Sequence, residues 1–277
     1  MRLYKHKTGI ILEANDSYYT IETNDWNALI NDDDLYKKLQ GFLQSGHAKP
    51  IAAFDESRVL APIGNQELWA CGVTYLRSKI GRQEESNTAG GADFYAKVYD
   101  AERPEVFFKS TPHRVIAHNG QVRIRRDSTW NVPEPELTLV VTSNAKIIGY
   151  TIGNDMSSRS IEGENPLYLP QAKTYDGCAA LGPCVYVTDA PLDKNTEIGL
   201  GIDRNNKTVF EGSVTLGQMK RTLEELVSFV YRECSFPAGC LVMTGTGIVP
   251  GHDFTLLSGD IIRINIENIG TLVNTVK

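Results

Sequence analysis

Glu134 and Glu136 stand one residue apart in the stretch Trp130-Asn131-Val132-Pro133-Glu134-Pro135-Glu136-Leu137. Extended backbone carries residues i and i+2 on the same side. The flanking prolines keep this stretch extended and bar a helix. Two carboxylates on one face repel unless a cation or solvent separates them, and a solvated pair on an edge strand is the plain reading of such a motif alone. Here, however, a strand-like run from Leu137 to Val141 follows, then a break at Thr142 to Ala145, then a second run that ends in Gly153-Asn154-Asp155. A hairpin of this kind returns Asp155 to the glutamates. Three carboxylates converging at a strand end make a hard oxygen site suited to Mg²⁺ or Mn²⁺. No histidine or cysteine lies nearby in sequence, which argues against zinc. The alternative is that Asp155 only caps the next turn.

Lys173 comes soon after, in Gln171-Ala172-Lys173-Thr174-Tyr175-Asp176. A lysine beside a metal can release its proton and serve as a base; a salt bridge to Asp176 or Glu164 is its plainer role. Near the end, Thr244-Gly245-Thr246-Gly247 lacks the lysine of a phosphate-binding loop and the strand-to-helix setting of a dinucleotide site. Its N–H groups and hydroxyls still suit a carboxylate.

The elements that must position these residues divide the chain in two. Residues 1–65 read as a small α/β domain. Strand-like stretches at Gly9 to Leu12 and Tyr18 to Ile21 precede a helix whose start is favoured by Asp32, Asp33 and Asp34. Leu35, Leu39, Phe42 and Leu43 fall on one face of that helix. Residues 66–277 read as the catalytic domain, dominated by strand signals at Phe107 to Lys109, Leu137 to Val141, Ile147 to Ile152, Cys184 to Val187 and Ile261 to Ile266. One later helix carries a capping box of Thr222 and Glu225 and an apolar stripe of Leu223, Leu226, Val227 and Val230. Without regular β-α alternation a doubly wound sheet is excluded, and the reading is a β-rich α+β fold.

Bulk properties remove several function classes. The net charge of −6 and scattered basic residues argue against nucleic acid; the densest basic run, Val122 to Arg126, looks like one exposed strand face. No apolar run reaches the roughly 18 residues that span a bilayer, and the opening residues lack a signal-peptide core. A cytoplasmic protein without a membrane partner is expected. Five cysteines, an odd number without CxxC, disfavour a disulfide framework or a zinc cluster.

Taken in order, Trp69-Ala70-Cys71-Gly72-Val73-Thr74-Tyr75, Pro133 to Leu137, Gly149 to Asp155, Ala172-Lys173, Leu181-Gly182-Pro183 and Thr244 to Gly247 resemble the fumarylacetoacetate hydrolase superfamily. The resemblance implies a mixed β-roll, a smaller N-terminal domain and a homo-oligomer, dimer or tetramer. It implies a metal on Glu134, Glu136 and Asp155, with Lys173 and Thr246 lining the pocket of a small 2-oxo acid. The hydrolase branch looks like Gly-x-Asn-Tyr-x-x-His-x-x-Glu; here Ser78 stands for the histidine and Gly81 for the glutamate, so the general base of hydrolysis is missing. The branch of 2-keto-3-deoxy-sugar-acid dehydratases is the better match. It is similar through Thr74 to Ser78, Arg82 to Ser86, Pro104 to Lys109 and Ile161 to Lys173.

That likeness implies Mg²⁺-dependent dehydration of a 2-keto-3-deoxy pentonate, 2-dehydro-3-deoxy-D-arabinonate, to 2,5-dioxopentanoate. Lys173 and Glu105 then serve as base and acid, in either order. Glu105 is otherwise a surface glutamate before a buried strand. Tyr75, Arg77, Glu84 and Glu85 are expected to bind substrate, the last three on a segment, Leu76 to Tyr99, whose composition suits ordering over it. Two rival readings are an acylpyruvate hydrolase or oxaloacetate-type decarboxylase using the same metal, and a 2-oxo acid binding protein without catalysis.

Overall fold

The computed structural model describes residues 1–46, 48–80 and 97–277. Glu84 and Glu85, and most of the stretch from Leu76 to Tyr99, lie outside the described residues. The chain begins with a meander of β1 (Arg2–His6), β2 (Gly9–Ala14) and β3 (Ser17–Ile21), followed by the helices Trp26–Ile30 and Leu35–Gln44. Next come β4 (Glu67–Gly72), β5 (Glu105–Ser110) and the short β6 (Val115–Ile116), β7 (Gln121–Val122) and β8 (Asn131–Val132). The long hairpin β9 (Pro135–Val141) and β10 (Ile147–Asp155) follows, then β11 (Ser157–Ser158) and the helices Arg159–Glu164 and Leu169–Lys173. Then come β12 (Ala179–Tyr186), β13 (Glu197–Arg204), β14 (Lys207–Thr215), the helix Leu223–Tyr231, β15 (Cys240–Met243), β16 (Ile261–Ile266) and β17 (Gly270–Val276).

The strands form a ten-stranded mixed sheet, ordered β3-β2-β1-β12-β10-β9-β15-β4-β5 with β6 beside β12, and a five-stranded sheet, β14-β13-β16-β17-β7. The main core lies between them. Leu137, Leu139, Val141 and Ile152 from the large sheet meet Ile198, Leu200, Ile202, Ile262, Ile264 and Ile266 from the small one. β16 alternates as its sequence does, with Ile262, Ile264 and Ile266 buried and Arg263 and Asn265 exposed. β9 is buried on both faces. Its odd-numbered residues enter the core between the sheets, so strand alternation sends Glu134, Glu136 and Thr138 to the opposite face.

The N-terminal strands prolong the large sheet, with β1 pairing β12 at Arg2↔Tyr186 and Leu3↔Val185. Their helices cover that sheet through a second cluster in which Leu3, Trp26, Ile30 and Leu35 meet Val140, Ile148 and Val185. The run of aspartates does more than favour a helix start. Asp32 accepts from the Asp34 backbone N–H at 2.9 Å, whereas Asp33 accepts from Thr142 at 2.6 Å and Asn144 at 2.9 Å, both in the β9–β10 turn. The helix Trp26–Ile30 carried no signal that we read in the sequence.

The expected strand through Val122 to Arg126 stops at Val122. Arg125 instead turns to Asp127 at 2.6 Å, because a local carboxylate and a bend satisfy it better than a ladder without a partner. All five cysteines are free thiols, and only Cys234 among them is exposed. Among the described residues, no helix is long and apolar enough to cross a membrane.

The helix Leu223–Tyr231 starts as expected, with the Thr222 hydroxyl accepting from the Glu225 N–H at 3.1 Å. The reciprocal half of the box is absent, because Glu225 accepts from Arg221 at 2.6 Å instead. Thr222→Ala therefore removes one capping bond and costs about 1 kcal/mol, a drop of roughly 2–4 °C in thermal denaturation for a chain of this size. An unchanged melting temperature would show that the cap contributes nothing.

Candidate active site

The β9–β10 hairpin brings Asp155 directly opposite Glu134. The two residues exchange backbone hydrogen bonds, Glu134 N–H to Asp155 O at 3.2 Å and Asp155 N–H to Glu134 O at 2.9 Å. Glu136 pairs with Gly153 one step along. Carboxylate oxygens of Glu134, Glu136 and Asp155 all lie within 4.8 Å of one another, and the three residues are at most 4% exposed. The reading in which Asp155 only caps a turn is excluded by this convergence.

Three buried cations surround the trio. Lys173 Nζ donates to Glu134 Oε2 at 2.6 Å, to Ser157 Oγ at 2.6 Å and to Asp155 Oδ2 at 3.3 Å. Arg159 donates to Glu134 Oε1 at 2.6 Å. Lys109 forms an ion pair with Asp155 Oδ1 at 2.5 Å, off the direction of an aligned hydrogen bond. Asp155 is accordingly held below the usual carboxylate range: the two lysines outweigh the opposing effect of burial. Glu136 goes the other way. Burial first, then repulsion from Asp155 and Glu134, pushes its carboxyl well above the ordinary value, against a hydrogen bond of 2.6 Å from the Gly245 N–H.

The donor set fits a hard divalent cation. Four buried carboxyl groups, with Glu162 the fourth, face three buried cations, so acid groups outnumber basic ones. The cavity that these oxygens line is about 10 Å³, close to the smallest space that holds one water-sized guest. Gly72, Val73, Ser78, Phe107 and Thr246 complete its wall. Val73 has φ +53°, an uncommon conformation for a β-branched residue and one that costs of order 1–3 kcal/mol.

Thr246 thus lies where expected, and its hydroxyl accepts from the Ile248 N–H at 3.1 Å. Gly245 has φ +90°, and a Cβ there would sit 2.1 Å from Thr74 Oγ1 and 2.9 Å from the Cys71 carbonyl. Only glycine lets this loop offer its N–H to Glu136.

Glu105 heads β5 opposite Gly72, half-buried, with Oε2 unpartnered. Its carboxylate fills the space a side chain at 72 would take, 1.9 Å from an added Cβ. It does not line the carboxylate cavity itself. Tyr75 and Arg77 line a separate surface cavity of about 510 Å³ with Leu76, Tyr99 and Gly247. Ser78 is occupied: its hydroxyl donates to Tyr75 O at 2.7 Å and accepts from the Tyr75 N–H at 3.2 Å. No described histidine lines the cavity.

Sequence reasoning missed Lys109, Arg159, Ser157 and Glu162. The available signal was their place inside or beside quoted motifs, Lys109 after Phe107-Phe108 and the others between positions 157 and 162, just after Asp155.

Residues 82–277 match the family described as fumarylacetoacetate (FAA) hydrolase C-terminal, and the chain belongs to that family. It is 46% identical over 225 residues to a probable 2-keto-3-deoxyxylonate dehydratase of Haloferax volcanii, covering 81% of this chain and 76% of that one. It is 45% identical over 226 residues to a 2-dehydro-3-deoxy-D-arabinonate dehydratase of Saccharolobus solfataricus, covering 80% and 76%. A solved structure of a 2-keto-3-deoxy-D-arabinonate dehydratase complexed with magnesium and 2,5-dioxopentanoate superposes with a TM-score of 0.84 at 35% identity, over 100% of this chain and 99% of that one.

A cation that binds this trio must displace the proton favoured on Glu136. Affinity for Mg²⁺ is therefore expected to rise with pH, and calorimetric titrations at pH 6 and pH 8 should differ in that direction, with protons released. Equal affinity at both values without proton release would overturn the raised proton affinity of Glu136.

Proposed function

We propose that the protein is a Mg²⁺-dependent hydro-lyase that converts 2-dehydro-3-deoxy-D-arabinonate to 2,5-dioxopentanoate and water. The observation that carries the reading is the buried Glu134–Glu136–Asp155 trio with Lys173 in contact, in a chain about 45% identical to two sugar-acid dehydratases. Glu134, Glu136 and Asp155 would hold Mg²⁺, which when bound polarises the substrate's 2-oxo group and so acidifies its C3–H bonds.

Lys173 takes a C3 proton in this reading. Its Nζ is held at 2.6 Å from Glu134 Oε2 and at 2.6 Å from Ser157 Oγ. Glu105 gives a proton to the departing C4 hydroxyl, so hydrogen and hydroxyl leave as water. Transfer of a proton from C5 to C3 then gives an enol, and loss of its O–H proton with gain of a proton at C4 completes the aldehyde. Thr246 orients the substrate carboxylate. Arg77 and Tyr75, one cavity away, face the distal end, and Glu84 and Glu85 belong with them.

Hydrolysis of acylpyruvates is disfavoured because Ser78, in the place of a general base, is committed to the Tyr75 backbone. A dicarboxylic substrate is disfavoured because the cations lining the described cavity, Arg159 and Lys173, are already held by Glu134. We also propose a cytoplasmic homo-oligomer with residues 1–65 as its small domain. Leu167, 83% exposed, and the adjacent Tyr168 are apolar surface that a subunit contact would cover. Light scattering that returned the mass of one chain would overturn the oligomer.

The deciding assay supplies Mg²⁺ and 2-dehydro-3-deoxy-D-arabinonate and follows 2,5-dioxopentanoate. Turnover is expected, and Glu136→Ala or Asp155→Ala should lower it at least 10²-fold. Cleavage of acetylpyruvate without turnover of the sugar acid would establish the hydrolase reading. Tight binding of the sugar acid with neither reaction would mark a binding protein.

A further inference from the structure

Lys109 is the least exposed ionisable side chain in the site, at 0%, and it lies on β5 rather than on the strands that carry the ligands. An ammonium has three N–H donors, and this one has three partners. It pairs with Asp155 Oδ1 at 2.5 Å, donates to Met156 O at 3.1 Å and donates to the carbonyl oxygen of Lys173. Lys109 does not line the cavity of the trio; two of its donors are spent on main-chain carbonyls and its charge faces Asp155. The Lys109 backbone carbonyl also accepts from Thr174 Oγ1 at 3.1 Å.

Side chain and main chain of one residue thus grip the turn where the Leu169–Lys173 helix ends. The same ammonium grips the end of β10. That helix has five residues and a terminal Lys173, too short to be held in place by its own hydrogen bonds. Burying an ammonium against a single carboxylate is costly unless its remaining donors are satisfied. Both carbonyl contacts meet that requirement, and both belong to the segments carrying Asp155 and Lys173.

We propose that Lys109 is a positioning residue, which fixes the reacting amine of Lys173 relative to the Asp155 carboxylate by binding both segments at once. The proposal rests on the reading of Lys173 as the proton-transferring group and of Asp155 as a ligand. Without Lys109 the metal ligands remain on a paired hairpin, whereas the Lys173 turn loses its tether. A displacement near 1 Å lowers a rate about 10²-fold.

Lys109→Met keeps the length of the side chain and removes charge and donors. The expected result has three parts. Calorimetry with Mg²⁺ alone still shows binding. The kcat for 2-dehydro-3-deoxy-D-arabinonate falls about 10²-fold with KM within threefold. Hydrogen exchange quickens at least tenfold in residues 169–176 and stays unchanged in the Leu223–Tyr231 helix. Lys109→Arg, which keeps charge and donors, should recover tenfold or more of the lost kcat. Unchanged exchange in 169–176, or kcat within threefold of the parent, overturns the proposal. So does faster exchange throughout with Mg²⁺ binding lost, which marks a merely structural lysine. If Lys109→Met does not fold, Thr174→Val, which removes the hydrogen bond to the Lys109 carbonyl, takes its place: exchange in residues 169–176 is expected to quicken, and unchanged exchange overturns the proposal. An unaltered protein that does not turn over the sugar acid refutes the functional reading, and the exchange measurement then still decides whether Lys109 holds the turn.

Discussion

Mutual repulsion of three buried carboxylates is the constraint on which this molecule is organised. Glu134, Glu136 and Asp155 sit within 4.8 Å of one another and almost out of reach of water. Such a group destabilises a fold unless something of opposite charge is placed against it. The response is spread over the chain. Lys109 arrives from β5, Arg159 from the helix after β11, Lys173 from the next helix and the Gly245 N–H from the loop after β15.

Placing the trio required strands buried on both faces. β9 and β10 form the middle of the large sheet, and one side of each feeds the core between the sheets. Alternation then leaves the other side for polar groups, and the N-terminal helices and the two helices after β11 close it off. The N-terminal strands extend this sheet instead of forming one of their own. Asp33 ties their unit to the β9–β10 turn through Thr142 and Asn144. The hairpin that carries the ligands is therefore braced from the end opposite the site.

The hairpin itself was legible in the sequence. Prolines around two glutamates allowed one backbone only, and the break at Thr142 to Ala145 set the length of the return, so Asp155 landed where counting put it. The β-rich fold and the capped Leu223–Tyr231 helix were legible for the same reason, since local periodicity and capping decide them. The partners of the trio were not. Lys109 and Arg159 are ordinary charged letters until the fold brings them from 25 or more residues away to a carboxylate. β13 and β14 turn at Asn205-Asn206, both at positive φ, a hairpin signal that the glycine-rich run of β13 obscured. The Val122 to Arg126 run misled because alternation of charged and apolar residues also describes a loop with local ion pairs.

Charge explains why this arrangement favours elimination from a small acid over other chemistry. Four buried carboxyl groups meet three buried cations in the described cluster, and the raised Glu136 carboxyl answers the excess of acid groups. A dication would reverse the sign of that excess, and the single carboxylate of a sugar acid would then balance it. A buried cluster is cheapest when neutral, so the protein's own residues make cation and monoanion bind as a pair. A second carboxylate would restore the excess and find Lys109, Arg159 and Lys173 already engaged. Ser78 adds the complementary restriction: its hydroxyl is spent on the backbone of Tyr75, so the position where the hydrolase pattern has a histidine offers no base. What remains beside the trio is an amine held at 2.6 Å from a carboxylate, a pair suited to moving a proton on and off carbon.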